Sequence, residues 1–318
     1  MITKPTVLVV GAGASVPYGF PTGKELTARI VTTLMDEGPH QGMNRCLERM
    51  AAKSRSTVDL TAFGERLKSS GLSSIDAFLQ FEHNESLGPA AKAAVAWHIG
   101  QCEEEKKCGL VEENGDWLQY LFDMLVEGAT TADALGQNRV TIVTFNFDRV
   151  IEARWKRVLS SIYPPSALPA AYASLPVIHV HGSPYGDTIN LENLDSHPVG
   201  DPITDAIVFE AAERIYFIHD RAEPPPQALA ALRSAQVVCF LGLSYADLNL
   251  KRLSLPDVLM RDPRAVQLYG TTLGLLAGEV RGVLRRLFVS RIPPVRPSES
   301  FPSVGCTEFL SLTDGLHA

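Results

Sequence analysis

The chain is short of paired cysteines, of long apolar runs and of surplus positive charge, and each shortage removes a class of protein. Its five cysteines, Cys46, Cys102, Cys108, Cys239 and Cys306, are odd in number, scattered, and contain no C-x-x-C pair. That pattern argues against a disulfide framework and against a four-cysteine zinc module, and points to a reducing, cytoplasmic setting. No apolar run approaches the roughly 18–20 residues of a membrane span. The short run at 7–10 has no cleavage pattern of a signal peptide. Lys and Arg number 29 against 36 Asp and Glu, a net charge of −7, the opposite of a nucleic-acid footprint. Neither a membrane nor direct nucleic-acid contact is therefore expected. What is present is a 318-residue chain with 45% hydrophobic residues, enough for one or two well-cored domains.

Short runs rich in Val, Ile and Phe, each bounded by turn residues, predict strands over 7–10, 140–145, 177–180, 236–241 and 265–269. Helices are predicted over 21–35, 149–159, 227–234 and 279–288, with Pro21 suited to a first helical turn. From 38 to 137 the apolar period is instead 3.6. Ser74 is placed to cap a helix carrying Ile75, Phe78 and Leu79, and Asp116 one carrying Trp117, Leu118, Leu121, Phe122 and Leu125. These stripes read as core. The run Glu103-Glu104-Glu105-Lys106-Lys107 reads as a solvated helix face. The fold class expected is α/β: a doubly wound, parallel, Rossmann-like sheet over 1–37 and 138–318, with a helical insertion subdomain at 38–137 after the first βα unit.

The first strand runs into Gly11-Ala12-Gly13-Ala14-Ser15. A glycine turn after a buried strand is expected to leave backbone N–H groups bare for a pyrophosphate. It is not a dehydrogenase turn. Val16 stands where the third fingerprint glycine belongs, and no strand ending in Asp or Glu follows about 20 residues on. Hydride transfer with NAD is disfavoured.

The continuation Gly19-Phe20-Pro21-Thr22-Gly23, taken with that turn, resembles the opening motif of sirtuin-like domains. Three further segments match in order: Thr144-Phe145-Asn146-Phe147-Asp148, His181-Gly182, and the Gly242-Leu243-Ser244 turn of the run from Phe240 to Asp247. Each stands at the C-terminal end of a predicted strand, and the resemblance spans nearly the whole chain. The zinc cysteines of protein-deacylating sirtuins are missing. Pro21 is followed by Thr22-Gly23-Lys24 rather than by the Asp-Phe-Arg of those enzymes. The pattern is closer to the sirtuin-like NAD hydrolases of bacterial antiphage defence.

That resemblance implies NAD as substrate, with no cofactor, cleaved to nicotinamide and ADP-ribose. It implies Asn146 and His181 as the catalytic pair, with Asn146 orienting a ribose hydroxyl or the attacking water and His181 taking a proton. Gly11, Ala12, Gly13 and Ser15 would cradle the pyrophosphate, with Ala14 and Thr22 also in the binding set; Gly242 and Ser244 would take the adenosine side, and Asp247 would bond a ribose hydroxyl or cap the helix that follows. Asp148 would join the binding set, holding the turn or positioning Asn146, or would serve only as a charge at the next helix N-terminus. Asn146 alone would read as a helix cap. His179 and His181 form an H-x-H pair, but nothing in the sequence completes a metal site, so no metal is expected and His179 reads as structural. His219-Asp220 reads as a surface pair. Two alternatives share the pocket: a non-catalytic NAD or ADP-ribose sensor that signals by assembly, and, more remotely, a deacylase. A sirtuin-like domain fills these 318 residues, so the resemblance further implies a homo-oligomer and a separately encoded regulatory partner, a translocase-type ATPase or a nucleic-acid-guided protein.

Overall fold

Five apolar runs become strands β1 (Thr6–Val10), β2 (Val140–Thr144), β3 (Val177–His179), β4 (Val237–Leu241) and β5 (Gln267–Gly270). A computed structural model of the chain describes residues 1–35, 41–53, 59–82, 87–104, 116–186, 197–217, 220, 223–255, 266–287 and 297–312. All four strand pairings are parallel, in the order β3-β2-β1-β4-β5. This open α/β sheet is compatible with a Rossmann-like fold, and its order reverses between β1 and β4. The predicted strands fit within a residue or two; position 265 and position 288 of the last predicted helix lie outside the described residues.

β1 shows why its residues are apolar without interruption. Leu8 and Val10 face a core that includes Ile30 and Leu34 of the Gly23–Met35 helix and Trp155 of the Val150–Ile162 helix. Val7 and Val9 point the opposite way, into a second core with Ala228 and Leu232 of Pro226–Ser234 and Val283 and Leu287 of Ala277–Leu287. Successive strand side chains alternate in direction, so a sheet covered on both faces needs both sets apolar.

Between the Gly23–Met35 helix and β2 come the helices Gln41–Lys53, Leu60–Ser70, Ile75–Leu79, Leu87–Glu104, Trp117–Val126 and Ala132–Leu135. Ser74 accepts a hydrogen bond from Ala77 N (3.1 Å) and Asp116 from Gln119 N (3.0 Å), so both predicted caps form. Leu47, Phe63, Val95 and Leu121 from this block share one continuous core with Leu8 and Val10. Leu87–Glu104 also packs on Asp205–Glu213, and Trp117–Val126 on the late helix Cys306–Leu312.

Glu103, the first residue of the run at 103–107, does not face solvent. It is buried, and its carboxylate accepts from Arg149 Nε (3.2 Å) and Nη2 (2.5 Å). Arg149 Nη1 donates to the carbonyls of Tyr185 (3.0 Å) and His197 (2.7 Å). A fully buried guanidinium is tolerable only with this degree of pairing. Glu104 accepts from Ile203 N, and positions 105–107 lie outside the described residues. Among the described residues, no helix is long and apolar enough to cross a membrane.

Candidate active site

A cleft of about 1080 Å³ runs along the C-terminal edge of the sheet, across the β1/β4 reversal. That is just above the roughly 300–1,000 Å³ common for small-molecule sites, and open α/β sheets hold ligands at this edge. Its walls draw on the ends of all five strands: Gly11 after β1, Asn146 and Asp148 after β2, His181 after β3, Gly242 and Ser244 after β4, and Thr271 after β5. Ala12, Gly13 and Thr22 line it as well, whereas Ala14, Ser15 and Asp247 do not.

The glycine turn departs from expectation. Its amides are mostly occupied: Gly11 N donates to Leu241 O (2.9 Å), Gly13 N to Gly242 O (3.0 Å), Ala14 N to Gly11 O (3.0 Å) and Ser15 N to Ala12 O (3.0 Å). Glycine is needed there for a different reason. A Cβ on Gly11 would sit 2.7 Å from Gly242 O, and one on Gly13 2.8 Å from the same oxygen. Two 3-10 turns, Ala12–Ala14 and Val16–Tyr18, then precede the helix, which starts at Gly23 rather than 21. Thr22 caps it: its Oγ1 accepts from Glu25 N (3.3 Å), and the Glu25 carboxylate accepts from Thr22 N (2.8 Å) and Oγ1 (2.9 Å). The helical block secures the turn from outside, where Trp117 Nε1 donates to Ala14 O (2.7 Å).

Asn146 is not a helix cap. The next helix begins at Val150, and the Asn146 amide turns back to the first motif, Nδ2 donating to Gly11 O (3.2 Å) and to Ser15 Oγ (2.9 Å). The Ser15 hydroxyl in turn donates a hydrogen bond to the Asp148 carboxylate. A carbonyl such as Gly11 O only accepts, so it fixes which end of the amide is nitrogen. Oδ1 is therefore the free end, buried and without a hydrogen-bond partner among the described residues. A buried orphan acceptor on a cleft wall is a place for a ligand donor.

His181 is held by Tyr216 on two sides, its Nδ1 donating to Tyr216 O (2.9 Å) and its carbonyl accepting from Tyr216 N (2.8 Å). Its ring lies 5.7 Å from each of the Phe145 and Phe147 rings. Burial lowers its pKa, Arg252 adds to this, and Asp76 and the Tyr216 carbonyl oppose it. The result is a neutral imidazole with Nε2 as its basic nitrogen. The glycine after it is obligatory: Gly182 has φ +78°, and a Cβ there would meet Arg214 O at 2.0 Å.

No family model and no curated protein matches this chain.

The two histidines of the H-x-H pair have separate attachments. His179 Nδ1 bonds Asn146 O (2.9 Å) and its Nε2 bonds Glu152 Oε1 (2.5 Å), while His181 is tied to Tyr216. Asp148 lines the cleft, and its Oδ1 accepts from Val150 N (3.3 Å) at the helix start. Burial pushes its carboxyl up to about 6 in spite of the Ser15 and Val150 donors. Asp247 is in the first turn of Asp247–Arg252 and forms an exposed ion pair with Arg286 (3.0 Å). Asp220 pairs with Lys92 (2.9 Å), and His219 lies outside the described residues.

Sequence reasoning missed Asp76, Glu152, Arg252 and Thr271. Thr271 Oγ1 accepts from Gly242 N (2.9 Å), and Tyr245 O–H donates to Thr271 O (3.0 Å). This anchors the β4 turn, in which Tyr245 itself holds a left-handed φ of 54°, a strain typical of functional turns. For Thr271, the sequence signal nearest to this anchor is the tyrosine four residues after the predicted strand 236–241.

Proposed function

We propose that the chain is an NAD glycohydrolase: water cleaves the bond between nicotinamide and ribose, giving nicotinamide, ADP-ribose and a proton. The observation that carries this reading is the orphan Oδ1 of Asn146, buried in the same cleft as a neutral His181. Nicotinamide departs as a neutral molecule from a cationic precursor, so the leaving group needs no acid. The demand is to orient the ribose and to activate water against an oxocarbenium-like centre. Asn146 Oδ1 accepts from a ribose hydroxyl or from the water, and His181 Nε2 takes the proton that the water releases. Leu243, Leu248, Leu275 and Val304 give the cleft an apolar stretch suited to a purine ring. The cellular role that accompanies this reading is depletion of NAD in antiphage defence, under control of a partner or of self-assembly.

The test is to incubate the purified chain with NAD, with and without the product of the neighbouring gene, and to quantify nicotinamide and ADP-ribose. Both products are expected in equal amounts, and Asn146→Ala and His181→Ala are expected to lose them. NAD bound in calorimetry yet unchanged over hours would make the protein a sensor. Cleavage that depends on an acyl-lysine peptide would make it a deacylase.

A further inference from the structure

His179 does not line the cleft, yet it holds the backbone of the residue that matters most there. Its Nδ1 lies 2.9 Å from Asn146 O and its Nε2 2.5 Å from Glu152 Oε1. Neither oxygen can donate: one is a carbonyl, the other a carboxylate oxygen. Both ring nitrogens therefore carry protons. Glu152 itself is buried on the Val150–Ile162 helix, so the clamp joins that helix, the end of β3 and the Asn146 peptide.

We propose that His179, clamped between Glu152 and the Asn146 carbonyl, is the positioning residue that aims the Asn146 side chain at the ligand. The proposal rests on the NAD-cleaving reading of the site. Asn146 is restrained at three points: its N by Thr144 Oγ1 (3.0 Å), its Nδ2 by Gly11 and Ser15, and its carbonyl by His179. Removing the third lets the peptide plane rotate, and the unpartnered Oδ1 moves with it. Misplacement of a reacting group by about 1 Å costs on the order of 10²-fold in rate.

The charged or titratable groups facing the imidazole are Glu152 and, from the loop after β2, Asp148. Burial alone would lower the pKa of His179, but the Glu152 carboxylate, helped by the Asn146 carbonyl and Asp148, pushes it up to about 9. On deprotonation the ring keeps its proton toward the carboxylate, the stronger acceptor, and turns a bare Nδ1 to the Asn146 carbonyl. Turnover is then lost on the alkaline side. With Gln at 152 the outcome differs: a neutral ring accepts from the Gln amide at Nε2 and still donates from Nδ1. Glu152→Gln therefore preserves the clamp and removes its dependence on pH.

The experiment compares wild type, His179→Ala and Glu152→Gln for kcat and KM across pH, alongside NMR of the His179 imidazole. The expected results are a doubly protonated ring at pH 7 in wild type and kcat falling near pH 9. His179→Ala should lose about 10²-fold in kcat with little change in KM. Glu152→Gln should retain more turnover than His179→Ala and lack the alkaline fall. A singly protonated wild-type ring at pH 7 overturns the proposal, as does an alkaline fall unchanged in Glu152→Gln. Wild-type cleavage of NAD beside an undiminished His179→Ala overturns the positioning role alone. Intact NAD with wild type overturns the underlying reading and the proposal with it. If His179→Ala fails to fold, Glu152→Gln and the wild-type ring still decide.

Discussion

Gly242 and Gly13 meet backbone to backbone: the Gly13 N–H donates to Gly242 O at 3.0 Å, and a Cβ on Gly242 would fall 2.1 Å from Ala14 N. The turns after β1 and β4 are thus one unit, locked across the point where the strand order reverses. The first prediction is that Gly242→Ala is among the most damaging single-methyl changes in this chain. It adds left-handed strain, roughly 1–2 kcal/mol, to an overlap that only movement of a buried turn can relieve. Urea unfolding should show a loss above about 2 kcal/mol, and NAD binding should weaken with it.

Arg149 and Glu103 supply a second prediction. Arg149→Leu leaves a buried carboxylate without its cation and should cost about 3–5 kcal/mol. Adding Glu103→Leu should recover much of that loss, because it removes the uncompensated charge. The double-mutant cycle by chemical denaturation checks this; equal, additive losses would contradict the pairing.

Trp117→Phe tests the support of the glycine turn. It keeps an aromatic ring in the core but removes the donor to Ala14 O and part of the buried indole volume. A stability loss of about 1–3 kcal/mol is expected, with KM for NAD rising more than kcat falls. Steady-state kinetics and thermal unfolding measure the two effects.

The burial of His181 sets the acid side of the pH response. Its folded pKa lies below the ordinary histidine value, so the unfolded chain binds the proton first. Stability contributed by this site is therefore complete above about pH 6.5, the unfolded value, and falls as the pH drops below it. Activity should fall in the same direction, since a protonated Nε2 takes no proton. His181→Ala should cost about 10²–10⁴-fold in turnover, and its unfolding free energy should be flatter than wild type between pH 5 and 7.

Much of the fold was legible because its signals are local. Apolar runs announce strands buried on two faces, and Ser74 and Asp116 stand three residues before the amides they cap. The site was legible as a set of strand ends, but not in its wiring. Glu103 looked solvated because only its neighbours were in view; Arg149, its partner, lies 46 positions away. The glycines of the first turn looked like bare amides, because no pattern in the sequence places Gly242 against them. Asp247 and Ser244 share one motif, yet the helix start turns Asp247 outward to Arg286. His179 was read as structural, and nothing local revealed that Glu152 and Asn146 O bracket its ring.

The burial of Arg149 has a consequence for domain surgery. Its carboxylate partner, like the Trp117 indole that holds Ala14, comes from the helical block between the first two strands. Trimming the chain to its five strands and their flanking helices would strand a cation in the core and release the glycine turn. The expected product is an insoluble polypeptide rather than a minimal nucleotide-binding module. Any shortened form that keeps its fold must carry a replacement for Glu103.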